Sequence, residues 1–273
     1  VVLDLGTRGS LSPRRPRLDD EYVQAFRGGV DRRRKPRRTA ADDDEVVHVR
    51  HVDGRVEPEA LGDLRVGGMA QHEFTLPVSA AQVRALVVDD TVVLNGTLFG
   101  IRDATQIALF DRGRATRFDL TGHAVIHTAP NVRRVPPSPA HPAGYAPICV
   151  GTTTSARMER FTRPLLARCG VRIVIGKGGL GAESAAAFHE LGGVYLAIVG
   201  GAAALETTWI EAIEDVDLED LNPESLWKFR VRGFGPLRVA MDSHGGNLYA
   251  AVDAGAKANR AAALAALGVG KGQ

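Results

Sequence analysis

The sequence predicts an α/β fold, with a mixed sheet and helices on its faces. Its 273 residues are 44% hydrophobic and only 5% aromatic, which is typical of globular α/β proteins rich in valine, alanine and leucine. Short apolar runs that end in glycine-rich turns alternate with segments of helical spacing. A chain of this length can form one large or two small domains around a sizeable core.

Residues 1–68 differ in composition from everything that follows. A basic cluster at 32–38 and an acidic block at 42–45 lie among glycine and proline, and apolar periodicity is weak. Such a segment cannot bury enough surface to offset its ordering entropy, so we expect it to be disordered. Because the first methionine is Met69, a second hypothesis is that this segment is a translation artefact from a start site assigned too far upstream.

Residues 69–250 are predicted to form one globular domain, followed by an alanine-rich, helical or frayed tail over 251–273. In the first half of the domain we predict a strand ending near 74–77, a helix over 80–86 capped by Ser79, one bent strand or two strands over 88–99, a helix over 103–110 and a strand over 121–128. The bend in the second strand is expected at Asn95 and Gly96, since this dipeptide favours turns.

The second half of the domain begins with a proline-rich run over 135–142. This run is expected to be an exposed loop, because proline lacks a backbone donor and fixes φ. After it we predict a strand over 146–150, a helix over 158–166, a strand over 171–175, a helix over 183–191, a strand over 194–199 and closing strands over 229–231 and 237–241.

The stretch 151–181 is the best candidate for a functional site. Gly151 and four hydroxyl residues form a strand-to-helix corner, where we expect the hydroxyls to cap the helix and its N–H groups to attract an anion. Arg157 would add a forked cation. Lys177 lies in a glycine-rich turn directly after the strand over 171–175, and ligands bind at such strand ends in open α/β sheets. The alternative is that the hydroxyls only cap a helix while Arg157 faces water.

Five motifs together resemble one known family. They are GTTTSARM at 151–158, IGKGG at 175–179, NGTLFGIRDA at 95–104, GGVYL at 192–196 leading to GGAA at 200–203, and the pair WK at 227–228 and MDSHG at 241–245. This set is similar to the C-terminal domain of class I fumarases and the β subunit of L(+)-tartrate dehydratases, over about residues 74–249. Thr152 stands where that family usually has proline, and Gln106 stands where it usually has histidine.

The resemblance implies a swivelling β/β/α domain and a dicarboxylate hydro-lyase. Thr153 would be the catalytic, proton-transferring residue, and the substrate-binding residues would be Arg102, Thr154, Arg157 and Lys177. The family works with a 4Fe-4S cluster, which is expected on an Fe-S-bearing α subunit and not on this chain. The resemblance therefore implies a hetero-oligomer that is active only with its partner.

The cysteine and histidine content is consistent with a cluster that is bound by the partner and not by this chain. The chain has two cysteines, Cys149 and Cys169, whereas an iron–sulfur cluster normally needs three or four thiolates. Both are expected to be small buried hydrophobic residues. His123 and His127 would lie on one face of a strand, but no third ligand accompanies them.

Other functional classes are disfavoured by charge and spacing. A net charge of +2 indicates neither a nucleic-acid nor a membrane partner, and we expect a cytoplasmic protein. The glycines at 176, 178 and 181 have dinucleotide-binding spacing, but the next strand ends in glycines and not in the acid that a ribose requires. A further hypothesis is a non-catalytic dicarboxylate-binding or assembly module, in which Gln106 and Thr152 mark lost chemistry.

Overall fold

The structure, a computed structural model, describes residues 69–266. Its strands are β1 (Gln71–Leu76), β2 (Thr91–Ile101), β3 (Ala124–His127), β4 (Asn131–Arg134), β5 (Tyr145–Cys149), β6 (Ile173–Gly176), β7 (Val194–Ala197), β8 (Ile210–Asp217) and β9 (Leu226–Met241). Its α-helices are α1 (Ala80–Arg84), α2 (Asp103–Gln106), α3 (Thr162–Cys169), α4 (Ala182–Leu191), α5 (Ala203–Thr208) and α6 (Leu248–Ala266). A π-helical turn, Ile107–Asp111, extends α2, and 3₁₀ turns cover Ser155–Phe161 and Glu219–Glu224.

Seven strands form one mixed sheet in the order β1-β2-β3-β6-β7-β9-β8. Strands β1, β2, β3, β6 and β7 are parallel, whereas β9 is antiparallel to β2, β7 and β8. Since β9 pairs with β2 as well as with β7, the sheet closes on itself. The β4–β5 hairpin forms a separate two-stranded sheet.

The core lies on both faces of the parallel strands. On β6, Ile173 and Ile175 pack into a cluster with Trp227, Phe229 and other side chains of β9 inside the closed sheet. The residue between them, Val174, packs into a second cluster with side chains of α3 and α4. The three layers are therefore antiparallel sheet, parallel sheet and helices. A strand buried on both faces reads as a continuous apolar run, which is why the sequence around β6 shows no alternation.

The α/β prediction, with a mixed sheet and flanking helices, is confirmed. Ser79 caps α1 as expected, accepting the N–H of Gln82 at 3.2 Å. The two closing strands are in fact one, because β9 continues through Gly233 and Gly235 with irregular pairing to β2. The sequence reading also missed β8, β4 and α5. Within residues 69–266 no helix is both long enough and apolar enough to cross a bilayer.

The disordered or mis-annotated extension over residues 1–68 remains a prediction. Residues 1–68 lie outside the described residues. Residues 248–266 form α6, so the described part of the alanine-rich tail is helical and continuous with the last residues assigned to the domain.

Candidate active site

The candidate residues meet at the carboxyl edge of the parallel strands. β2 ends at Ile101, β3 at His127 and β6 at Gly176, and their pairing aligns these ends. Arg102 and Lys177 each follow the last residue of a strand directly. The sheet order therefore brings two cations from distant parts of the sequence to one edge, where ligands bind in α/β sheets.

The hydroxyl-rich turn at 152–155 is inserted between the ends of β3 and β6. The Thr153 N–H donates to the His127 carbonyl at 2.7 Å, and the Ser155 N–H donates to the Lys177 carbonyl at 2.9 Å. Isolated bridges pair Thr152 with Thr128 and Thr154 with Lys177. The turn thus behaves as a short extra strand, which holds Thr153 and Thr154 at the same edge as Lys177.

The expectation that these hydroxyls cap a helix is wrong. The residue that precedes the 3₁₀ turn, Thr154, makes no capping hydrogen bond with its side chain. Instead, the N–H groups of Thr153 and Ser155 are satisfied by the neighbouring strand ends. These two N–H groups therefore cannot form an anion-binding site at a helix N-terminus. The cationic side chains remain as the candidate ligands for an anion.

A buried polar network lies beneath the turn. The Ser155 hydroxyl is 2.9 Å from Nδ1 of His127 and accepts the Tyr195 hydroxyl at 3.0 Å. All three residues are at most 1% exposed. Burial lowers the pKa of His127 to about 4, so the imidazole is neutral near pH 7 and forms this network without a charge.

Gly176 provides the space for this network, and an alanine there should destabilise the domain. A Cβ at this position would overlap Oγ of Ser155 and lie 3.0 Å from the Tyr195 hydroxyl. Overpacking of a buried position costs about 1–3 kcal/mol, so Gly176→Ala should lower the free energy of unfolding by that amount in denaturant titrations. Gly255→Ala on α6 is the control, because its Cβ meets nothing within 4 Å. Equal stability of the two variants would contradict this packing.

Thr153, Arg157 and Arg102 belong to one chain of polar contacts. Nη2 of Arg157 donates to Oγ1 of Thr153 at 3.0 Å and lies 3.5 Å from Oδ2 of Asp103. The same oxygen lies 3.4 Å from Nε of Arg102, which is also 3.4 Å from Oε1 of Glu224. The remaining oxygen of Glu224 accepts the Ala104 N–H at 2.7 Å. Two guanidinium groups and the candidate catalytic hydroxyl are therefore adjacent.

These ion pairs are looser than two two-pronged arginine pairs elsewhere on the surface. Arg114 with Asp220 and Arg160 with Asp111 form two-pronged pairs at 2.7–2.9 Å. At the candidate site the closest approaches are 3.4–3.5 Å, and the buried Nε of Arg102 has no hydrogen-bond partner among the described residues. Donors left unsatisfied inside a protein are costly, so this edge is suited to binding an anion.

Lys177 lies on the other side of the turn from the two arginines. Gly178 and Gly179 follow it with φ of 76° and 75°, a left-handed geometry that glycine adopts without strain. Among residues 69–266 no carboxylate lies within salt-bridge distance of its ammonium group. The buried Glu206 is near enough for the lysine charge to act on it. Burial raises the pKa of Glu206, while the Thr152 N–H and the Lys177 charge oppose that rise.

Thr152 and Gln106, which depart from the family pattern, are both buried in this framework. The Thr152 N–H donates to Glu206 at 3.0 Å, a bond that proline could not form, and its hydroxyl donates to the His127 carbonyl at 3.2 Å. The Gln106 amide is 3.5 Å from the Arg102 carbonyl, and its oxygen has no partner among the described residues. Thr152 therefore supports the turn, whereas Gln106 lies behind Arg102.

The described residues do not provide ligands for a metal cluster. Within residues 69–266 no three His, Cys, Asp or Glu side chains are grouped as metal ligands. Cys149 is exposed, contrary to expectation, and Cys169 is partly buried. His123 precedes β3, with its Nδ1 3.0 Å from the Thr97 carbonyl. An iron–sulfur cluster therefore does not fit residues 69–266.

Several site residues were not identified from the sequence. Asp103 and Tyr195 were included in the motifs at 95–104 and 192–196, but neither was assigned a role. Glu206 and Glu224 gave no signal, because they follow no recognisable motif and reach the site from 54 and 120 residues away from their partners.

The comparisons with known proteins agree with these motifs. The family described as "Fumarase C-terminus" matches residues 60–252. The β subunit of L(+)-tartrate dehydratase from Shigella sonnei is 38% identical over 178 residues, covering 65% of this chain and 86% of that protein. A putative L(+)-tartrate dehydratase β subunit from Methanocaldococcus jannaschii is 34% identical, covering 66% of this chain and 93% of that protein.

A longer relative matches through only part of its length. A putative class I fumarate hydratase from Geobacillus stearothermophilus is 37% identical over 174 residues, which are 63% of this chain but 32% of that protein. The names of these three relatives are those of hydro-lyases. With a match over most of the chain and the motifs of the site in place, this protein belongs to the fumarase C-terminus family.

Proposed function

We propose that this chain is the β subunit of a two-subunit hydro-lyase that adds water to, or removes it from, a small dicarboxylate such as fumarate, malate or tartrate. Its family membership and the names of its relatives support the reaction class. The observation on which the proposal chiefly rests is that Arg102 and Lys177 lie at the same sheet edge as Thr153, whose hydroxyl accepts a hydrogen bond from Arg157.

In this proposal the three cations bind the two carboxylates of the substrate. Arg102 and Arg157 lie side by side, and Lys177 lies across the turn with Thr154. Removing a proton next to a carboxylate places further negative charge on that carboxylate. Cations that are already positioned stabilise such charge as it develops, without reorganising during the reaction.

Thr153 is proposed to take part in the proton transfer itself. A free threonine hydroxyl is far too weakly acidic to ionise alone, so it needs help from its surroundings. Nη2 of Arg157 donates to Thr153 Oγ1 at 3.0 Å, and a hydrogen bond from a cation favours the ionised form of its acceptor. A carboxylate of the partner subunit would accept or relay the proton.

The partner is proposed to be an Fe-S-bearing α subunit. The relatives named as β subunits match this chain over most of their length, whereas the matched region is only 32% of the Geobacillus fumarate hydratase. We assign the 4Fe-4S cluster to that partner, since the described residues of this chain lack a suitable ligand set. The isolated chain should therefore be inactive.

Co-expression with the α subunit under anaerobic conditions tests the proposal. The purified pair should interconvert fumarate and malate, or dehydrate L(+)-tartrate to its keto acid, and the reaction is followed by absorbance. A pair that contains its full complement of iron and sulfide but is idle on all three acids would contradict the hydro-lyase function. Binding of these acids by such an idle pair would support the non-catalytic module instead.

Replacing Lys177 with methionine should weaken substrate handling without unfolding the domain. Methionine keeps much of the apolar stem and removes the charge, which costs a charge-assisted contact of about 1.5–3 kcal/mol. We therefore expect kcat/KM to fall about 10- to 150-fold, with an unchanged thermal transition. Lys257→Met on α6 is the control, since Lys257 is exposed and pairs only with Asp253 among the described residues. A collapsed transition in Lys177→Met would make Lys177 structural.

A further inference from the structure

A single carboxylate oxygen lies between the two arginines of the site. Oδ2 of Asp103 is 3.4 Å from Nε of Arg102 and 3.5 Å from Nη2 of Arg157. Asp103 begins α2, directly after the strand that ends beside Arg102. Its backbone position is therefore fixed by the sheet, and its side chain joins this strand end to the turn that contains Thr153.

Two guanidinium groups at one site repel each other unless a counterion separates them. The side chains of Arg102 and Arg157 are 28% and 51% exposed, so water screens this repulsion only in part. A shared carboxylate offsets it and orients both groups. Asp103 forms no close hydrogen bond with either guanidinium group, because both contacts are longer than the 2.7–2.9 Å of an ideal charge-assisted hydrogen bond.

The two carboxylates beside Arg102 lie closest to its Nε and not to its forked end. Asp103 and Glu224 come closest at Nε, and neither Nη nitrogen of Arg102 donates a hydrogen bond to a described residue. The forked end of the guanidinium is the part that matches a carboxylate in two-pronged geometry. The two acids thus leave the ligand-binding end of Arg102 available.

We propose that Asp103 is a positioning residue that sets the two guanidinium groups for the dicarboxylate and, through Arg157, holds the hydrogen bond to Thr153. The proposal rests on the hydro-lyase function proposed above and adds a residue role to it. Asp103 acts at one remove, since its contacts are with Arg102 and Arg157 and not with Thr153.

Glu224 provides a contrast that makes this role measurable. Its side chain contacts Arg102 and the Ala104 N–H, but among the described residues it forms no ion pair or hydrogen bond with Arg157 or Thr153. A change at Glu224 should therefore weaken binding of the dicarboxylate alone. A change at Asp103 should weaken binding and also slow the step in which Thr153 takes part.

The experiment compares Asp103→Asn, Glu224→Gln and the control Asp111→Asn in the anaerobically purified αβ complex. The control also removes an aspartate–arginine pair between the helix that follows β2 and the 3₁₀ turn, but at Arg160. Three quantities are measured: kcat, KM, and the inhibition constant of succinate, a saturated dicarboxylate that reports binding without reaction. Thermal transitions of all variants are recorded beside them.

For Asp103→Asn we expect kcat to fall about tenfold and both KM and the succinate constant to rise about tenfold, the effect of losing one charge-assisted contact. For Glu224→Gln we expect the same rise in KM and in the succinate constant, with kcat within about twofold of wild type. Asp111→Asn should leave all three quantities within about twofold. Asp103→Glu, which restores the charge, should recover part of the lost kcat.

Two results would overturn the proposal. One is an Asp103→Asn enzyme with wild-type kcat, KM and succinate inhibition. The other is an Asp103→Glu enzyme as slow as Asp103→Asn, since the charge would then not be the cause, and this comparison holds even if Asp103→Asn is unstable. If the wild-type complex is inactive on all the acids, the proposed function is wrong. Comparing succinate binding by that complex and by its Asp103→Asn variant would then still test whether Asp103 positions the arginines.

Discussion

Replacing Thr153 with valine is expected to lower kcat by about 10²- to 10⁴-fold, the usual contribution of a positioned proton-transfer group. Valine has the shape of threonine and keeps the backbone bond from residue 153 to the His127 carbonyl. Only the hydroxyl that accepts from Arg157 is lost. The measurement is steady-state hydration and dehydration by the anaerobic complex, with iron content and the thermal transition determined for each preparation.

Thr75→Val is the matched control for this substitution. Thr75 lies on β1 with an exposed side chain, and valine is well tolerated on strands. The control should therefore keep wild-type kcat. If Thr153→Val retains its iron, its thermal transition and more than about a third of wild-type kcat, Thr153 is not the proton-transfer residue, and its contact with Arg157 is structural.

The stability of the domain is expected to fall by about 3 kcal/mol as the pH decreases from 6.5 to 4 because of His127 alone. Burial lowers the pKa of His127 from its ordinary value of 6.5 to about 4, and the nearby Asp103 charge opposes this only in part. Between these two pH values the unfolded chain binds a proton at this position and the folded chain does not. The contribution is thus present above pH 6.5 and is lost as the pH falls toward 4.

His127→Asn isolates this effect. Asparagine presents a polar group near the position of Nδ1, which lies 2.9 Å from the Ser155 hydroxyl, and it does not titrate. Urea unfolding at intervals between pH 7 and pH 4 should give curves that converge, with the wild type losing about 3 kcal/mol more than the variant. Parallel curves would show that the pKa of His127 is the same in the folded and the unfolded chain, as for an imidazole in contact with water.

Local patterns in the sequence predicted the elements of the fold that are fixed by short-range chemistry. The run at 171–175 is apolar without alternation because β6 is buried on both faces, and Ser79 caps α1 through a bond to Gln82, three residues away. The strand β8 was missed for the opposite reason. Its acidic residues disfavour strands when considered alone, but across the pair with β9 they meet basic ones, as Glu211 meets Arg230 and Arg232.

The residues of the candidate site were predicted from short motifs, but the contacts between them were not. Arg102, Thr153, Thr154, Arg157 and Lys177 were selected from motifs, and the sheet order places all five at one edge. Their roles in substrate binding and proton transfer remain proposals. The interpretation of the hydroxyls as helix caps was wrong, because the turn bonds to two strands that are not its neighbours in the sequence.

By itself the sequence determined the α/β class, the family and the positions of the cations after buried strands, since these depend on periodicity and on motifs of adjacent residues. Only the tertiary structure decided that the sheet closes through β2 and β9, that Asp103 lies between Arg102 and Arg157 and that a neutral imidazole lies beside Ser155 beneath the turn. Glu224, for example, contacts residues about 120 positions away. The partners in such contacts are chosen by strand order and packing, which local residue patterns do not specify.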